Sequence, residues 1–227
     1  MTPNTPHPPL VWDVQLHATL GQGAQRFELK LELRSSARRL ALLGPSGCGK
    51  THSLRLIAGL AQPDPKHANH VRILGRSLLD SRAGTALAPH ERQLGLVFQD
   101  YALFPHLTLR QNIAFGLQTG WLNPRRTAQD ARVTQWLARM QLQAQAELLP
   151  SQLSGGQRQR AALARALAPE PLALLLDEPF AALDSTLRTQ LRQDLAQLQA
   201  HSQIPTLLVT HDPEDAALLA DEVVRLY

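Results

Sequence analysis

At 227 residues, 44% of them hydrophobic, the chain can build one large α/β domain or two small ones around a sizeable core. Its single cysteine excludes a disulfide framework and fits a reducing compartment, and no apolar run reaches the length of a membrane span. The formal charge of +4 is carried by arginines scattered over helical stretches, which reads as a solvated surface, so no nucleic-acid partner is expected.

Met1 to Pro9 is Pro-rich and polar, with no apolar h-region, and reads as a disordered leader (1–9) rather than a signal peptide. No internal repeat follows. Val11 to Leu20 and Phe27 to Leu33 predict two strands joined by the Gly21-Gln22-Gly23 turn. The second alternates Phe27, Leu29, Leu31 and Leu33 against Glu28, Lys30 and Glu32, as a half-exposed antiparallel strand should. Trp12 or Phe27 can offer an aromatic face to a nucleobase, although ordinary core packing accounts better for either.

Leu40-Ala41-Leu42-Leu43 predicts a buried strand, and Ser53 to Leu60 a helix with Leu54, Ile57, Ala58 and Ala61 on one face. Between them, Gly44-Pro45-Ser46-Gly47-Cys48-Gly49-Lys50-Thr51 fits G-x-x-x-x-G-K-[ST], the phosphate-binding loop. Glycines at 44, 47 and 49 let the backbone curl and aim N–H groups inward. Those groups and the positive end of the helix make a nest for phosphate oxygens. Lys50 adds a mobile cation, and the Thr51 hydroxyl is a hard oxygen ligand for Mg²⁺. A chance Gly-rich turn would lack the strand before and the helix after.

Gln62 to Asn69 reads as a Pro-rich loop, Val71 to Leu74 as a short strand closed by Gly75, and 77–90 as irregular. His67 and His70, in a polar loop without a carboxylate or Cys partner, read as solvated rather than metal-bound. Leu94 to Phe98 predicts a buried strand with Gln99 at its carboxyl end, where α/β sheets hold ligands. Gln99 can offer its amide oxygen to Mg²⁺ and its amide N–H₂ to water. Over 100–153 strand signals vanish. Val133, Trp136, Leu137 and Met140 mark an amphipathic helix, with Trp136 expected in the core.

Leu153-Ser154-Gly155-Gly156-Gln157 precedes an Ala/Leu/Arg helix from Arg158 to Ala168. Ser154 is a good N-cap, and the glycines leave N–H groups exposed at the positive helix end, a second anion site or merely a cap. Leu172 to Leu176 is a continuous apolar run, as in a doubly covered parallel strand, and ends in Asp177-Glu178. Asp177 is placed to hold Mg²⁺ through its water shell, and Glu178 to take a proton from an attacking water. Leu187, Leu191, Leu195 and Leu198 predict another helix. Thr206 to Thr210 predicts a buried strand ending at His211, Asp212 and Pro213 a helix start, and Glu222 to Leu226 a last strand.

Together these residues resemble the ATPase subunit of ABC transporters, from Gly44 to His211. Gly44 to Thr51 is similar to the Walker A loop, Gln99 to the Q-loop, Leu153 to Gln157 to the LSGGQ signature, and Leu172 to Glu178 to Walker B with its catalytic glutamate. Ala182-Leu183-Asp184 resembles the D-loop and His211 the switch histidine. The resemblance implies a P-loop α/β fold with a mostly parallel sheet, an antiparallel β subdomain and a helical insert. One ABC ATPase domain is expected over 10–227, its core at 10–98 and 158–227 and its helical subdomain at 99–157. It also implies ATP and Mg²⁺ as cofactors, with Glu178, His211 and Gln99 catalytic and Thr51, Gln99 and Asp177 around the metal. A head-to-tail homodimer would sandwich ATP between Walker A of one subunit and Ser154, Gly155, Gly156 and Gln157 of the other, with Asp184 at the dimer seam.

By the same resemblance the chain would work peripherally at the cytoplasmic face of the inner membrane. The segment with Tyr101 to Phe115 would receive a helix of a permease subunit, which is served in turn by a solute-binding protein. His52 departs from the family, which usually has a second Ser or Thr there. Importers commonly keep this ATPase as a separate chain. Leu78 to Ser81, Leu87 to Arg92, Phe98 to Asp100 and Leu103 to His106 look most like molybdate-importer ATPases, while Gln111 to Arg188 resembles thiamine and sulfate importers about as well. Molybdate-type subunits often carry a further C-terminal oxyanion-binding domain, and the sequence through Tyr227 contains none, so that mode of feedback is not expected. The competing readings are a soluble ABC ATPase, which usually carries coiled coils or paired domains, and a P-loop kinase, which has no use for LSGGQ.

Overall fold

The computed structural model describes residues 9–21, 27–117, 123–125, 130–181 and 185–227. The expected leader, apart from Pro9, lies outside these residues, as do Gln22 and Gly23 of the first turn and Ala182, Leu183 and Asp184. The chain divides into two units, Met1–Arg92 with Pro205–Tyr227, and Gln93–Ile204.

The first unit opens on β1 (Trp12–Leu20) and β2 (Phe27–Ser35), paired antiparallel. Their alternation works as a sheet face should: Val14 lies opposite Leu33, Leu16 opposite Leu31 and Ala18 opposite Leu29, and all six side chains are buried. Phe27 does not join them. It sits opposite Leu20 at the strand end and is 40% exposed, so the core placement expected for it is wrong, while Trp12 is fully buried. The sheet continues through β4 (His70–Ile73), β5 (Arg76–Asp80) and β6 (Thr85–Ala86). The last two correct the irregular reading of 77–90. Strands of five and two residues with polar ends show no clear period of two. The available signal was the turn: Leu74 and Gly75 both have positive φ, 50° and 77°, the geometry of a two-residue hairpin. His70 is likewise in a strand, not a loop, and its Nε2 lies 3.1 Å from Asp13 Oδ1, so it does have a carboxylate partner.

The same unit holds three parallel strands in the order β10 (Glu222–Arg225), β3 (Arg39–Leu43), β9 (Thr206–Thr210). Every residue of β9 is buried and so are Leu40 to Leu43, as continuous apolar runs require when both faces are covered. α1 (Lys50–Ala58) follows β3 and α6 (Pro213–Leu219) follows β9.

In the second unit β7 (Leu94–Val97) runs parallel to β8 (Ala173–Asp177). The helices are α2 (Leu109–Phe115), α3 (Ala131–Arg139), α4 (Gly155–Leu167) and α5 (Ser185–His201). α4 comes so close to β7 that a Cβ on Gly95 would stand 2.7 Å from Ala166 O. Among the described residues of 100–153 no strand occurs. Val133, Leu137 and Met140 are buried as expected, but Trp136 is only half-buried, its ring under the Arg139 guanidinium 5.1 Å away. No helix among the described residues is long and apolar enough to cross a membrane.

Candidate active site

In the first unit β3 delivers the chain into Gly44 to Thr51, and α1 starts at Lys50. Gly47 and Gly49 have φ of 87° and 93°, and a Cβ on Gly44 would meet Leu226 O at 2.5 Å, so the first two serve a left-handed backbone and the third a close approach. Gly49 caps α1 without a side-chain bond, and no carboxylate lies in the first turn. The positive end of the helix dipole thus faces no carboxylate of its own first turn, which favours an anion there. The Lys50 side chain is 4% exposed and curls over the loop, its Nζ donating to Gly44 O and Pro45 O, each at 2.8 Å. Ser53, fully buried, ties the loop to the helix by donating from Oγ to Gly49 O at 3.1 Å.

β9 brings His211 to the same place. Leu43 pairs with Thr210, and Gly44 N donates to Thr210 O at 3.4 Å. His211 is the next residue and is exposed. A small buried network sets its turn: Thr210 Oγ1 donates to Asp215 Oδ2 at 3.0 Å and accepts from Asp212 N at 3.0 Å. Asp212 in turn caps α6, accepting from Glu214 N at 2.8 Å, with Pro213 in the first turn. Sequence reading found the cap but not Asp215, whose partner is visible only once the turn closes.

The second unit gathers the other polar residues. Val97 pairs with Leu176, so Gln99 and Asp177-Glu178 emerge at neighbouring carboxyl ends of β7 and β8. Asp177 is 5% exposed and Glu178 half-buried with φ of 43°, uncommon for a residue with a side chain. Gln99 lies exposed in the turn beyond β7. Ser154 caps α4 in a reciprocal box: Oγ accepts from Gln157 N at 3.3 Å, and Gln157 Oε1 accepts from Ser154 N at 2.9 Å. Gly156 is buried, and a Cβ there would stand 2.9 Å from Leu187 Cδ1, so this glycine serves the packing of α4 on α5. Among the described residues no group of three or more His, Cys, Asp or Glu side chains is arranged to hold a metal by itself.

A family model described as ABC transporter matches residues 28–181. The chain belongs to the ABC transporter family. The match spans Gly44 to Thr51, Gln99, the signature and Asp177-Glu178, and the fold is that of its ATPase domain. The sulfate/thiosulfate import ATP-binding protein CysA of Thermosynechococcus vestitus is 50% identical over 190 residues, covering 84% of this chain and 53% of that protein. CysA 1 of Chromobacterium violaceum is 53% identical over 192 residues, covering 82% and 50%. The probable sulfate/thiosulfate import ATP-binding protein CysA of Chlorella vulgaris is 46% identical over 198 residues, covering 87% and 79%. The chain spans about half the length of the first two.

Proposed function

We propose that this ABC ATPase domain binds and hydrolyses ATP to drive import of a tetrahedral oxyanion, sulfate or thiosulfate, through a permease subunit. The observation that carries the ATPase part is the phosphate loop itself, with its positive-φ glycines, a helix start that has no carboxylate in its first turn, and Lys50 folded over it. The backbone N–H groups and Lys50 would hold the β- and γ-phosphates. Mg²⁺ is bound by proteins through one or two carboxylates together with substrate phosphates. By the family resemblance, Asp177, Gln99 and the Thr51 hydroxyl would supply oxygens of that kind. Glu178 would accept the proton of the attacking water, with Gln99 and His211 orienting water and γ-phosphate. Ser154 to Gln157 would meet the nucleotide bound by the partner of a head-to-tail homodimer, and Asp184 would line the seam. The core at 10–98 and 158–227, the helical subdomain at 99–157 and a disordered leader at 1–9 belong to the same reading. So does a peripheral place at the cytoplasmic membrane face, with a solute-binding protein as indirect partner.

For the solute, the names of the relatives favour sulfate and thiosulfate over molybdate. Molybdate remains the second reading because the stretches between Leu78 and His106 look most like molybdate-importer ATPases. Deleting the gene separates the two. Failure to grow on limiting sulfate, relieved by cysteine, is the expected result. Normal sulfate growth with molybdoenzyme activity lost at limiting molybdate would move the assignment to molybdate. Normal behaviour on both, with no membrane protein co-purifying, would favour a soluble ABC ATPase.

A further inference from the structure

One buried cation lies outside all of these groups. Arg92 is 4% exposed and closes a short 3₁₀ turn, Pro89–Arg92. No described carboxylate pairs with it. Its Nε donates to Leu87 O at 3.0 Å, and its Nη1 donates to Ile57 O at 2.6 Å and Leu56 O at 3.1 Å. Burial pushes its pKa down from the usual arginine range. A cation taken from water without a counter-charge is costly, so carbonyl dipoles must offset the loss. Two of the three belong to the last turn of α1, where helix carbonyls lack intrahelical donors and the dipole gathers partial negative charge.

The backbone beside it is shaped to match. Gly59 caps α1 with φ of 79°, its N–H returning to Leu56 O at 3.1 Å. A Cβ on Gly59 would lie 2.6 Å from Arg92 Nε and 2.7 Å from Cζ. Any side chain at 59 would thus displace the guanidinium. α1 has only nine residues, roughly 13 Å at 1.5 Å per residue, and its other end carries Lys50 and Thr51. A helix that short moves as a rod, so fixing one end fixes the other.

We propose that Arg92 is a positioning residue for the nucleotide: it clamps the C-terminal end of α1 and thereby sets the pose of Lys50 and Thr51. This rests on reading those two residues as nucleotide ligands. The test measures the Mg-ATP dissociation constant by titration calorimetry on the wild-type chain and on Arg92→Ala, Arg92→Lys and Gly59→Ala. Each is held at a temperature where circular dichroism shows it folded, and heat stability is recorded in parallel. Arg92→Ala is expected to weaken Mg-ATP binding about tenfold to a hundredfold, the scale on which small misplacements of binding groups act. Gly59→Ala should weaken it in the same sense although Arg92 is retained. Arg92→Lys should recover part of the affinity, because an ammonium reaches one or two carbonyls but cannot span three as the planar fork does. If Arg92→Ala does not fold, the other two variants decide. Variants that lose heat stability but bind Mg-ATP within about twofold of wild type would overturn the clamp alone. A wild-type chain that does not bind Mg-ATP would overturn the nucleotide reading and the clamp with it.

Discussion

The guanidinium of Arg165 holds Ala102 in a conformation that residue does not adopt unaided. Nη1 donates to Ala102 O at 2.7 Å and Nη2 to Tyr101 O at 2.9 Å, and the two acceptor residues have φ of 42° and 64°. Left-handed backbone costs a residue with a Cβ about 1 kcal/mol or more. Two in succession therefore need an anchor. The same guanidinium lies 5.4 Å over the Phe104 ring, and burial pushes its pKa down against the opposing pull of Asp100. The turn that follows Gln99 is thus fastened to the far end of α4, the helix whose start is the signature.

Arg165→Ala should release that turn. Hydrogen bonds from a charged donor contribute roughly 1.5–3 kcal/mol, and relaxation of the strained turn would return part of that, so urea unfolding should show a loss near the lower end of the range. Mg-ATP binding by the isolated chain should weaken less than in Lys50→Ala, because Arg165 touches none of the phosphate loop and acts only through the turn that follows Gln99. Unaltered stability, or an affinity loss as large as that of Lys50→Ala, would contradict this account of the turn.

Glu178→Gln should stop ATP turnover while preserving ATP binding. The amide is nearly isosteric and fits the same positive-φ turn, where Ala181 N donates to Glu178 O at 3.2 Å. What it loses is the ability to accept a proton. The ATP-bound dimer should then persist, and a sizing column run with Mg-ATP would show it. Turnover near the wild-type rate would remove Glu178 from the role of base.

Most of this was legible in the chain because each signal is local. Leu40 to Leu43 and the apolar centre of Thr206 to Thr210 read as buried strands because apolar residues follow one another there, and Ser154 read as an N-cap from its place before the helix, whereas its reciprocal partner Gln157 shows only in the structure. The misses are of another kind. Phe27 opens an alternating series, but at a strand end the core no longer covers the face it points to, and nothing in the spacing says so. β5 and β6 are too short to show a period. Arg92, Arg165 and Asp215 act on carbonyls and hydroxyls brought near only by folding. An arginine whose partners are backbone oxygens leaves no partner residue to find in the sequence.

Lys50→Ala and Ser154→Arg should fail at different steps. Lys50→Ala removes the cation folded over Gly44 and Pro45, so Mg-ATP binding to the single chain should weaken. Ser154→Arg abolishes a capping box, at about 1 kcal/mol of stability, and places a long cation where a partner's nucleotide would arrive. Binding by one chain should survive and ATP-driven dimerisation should not. Calorimetry for the first step and sizing in the Glu178→Gln background for the second separate them. Loss of the same step in both would dismiss the two-sided sandwich.

His52 gives a pH test. It follows Thr51 in the first turn of α1, and burial first, then the nearby charge of Arg55, pushes its imidazole pKa below the ordinary value of 6.5. Above that value the ring is neutral in both folded and unfolded chains and stability does not depend on it. As pH falls through about 6.5 the unfolded chain takes up the proton first, so stability declines, and the decline levels off only below the lowered folded pKa. His52→Ser removes this proton and restores the hydroxyl usual for the family beside the phosphates. Its unfolding free energy should therefore fall less steeply than that of wild type as pH is lowered from 7, with the two curves parallel above pH 7. The neutral imidazole of the wild type adds no cation to the phosphate loop at pH 7, so the serine variant should bind Mg-ATP at least as tightly there. Parallel curves through the acid range would show that His52 titrates alike in both states and carries no burial penalty.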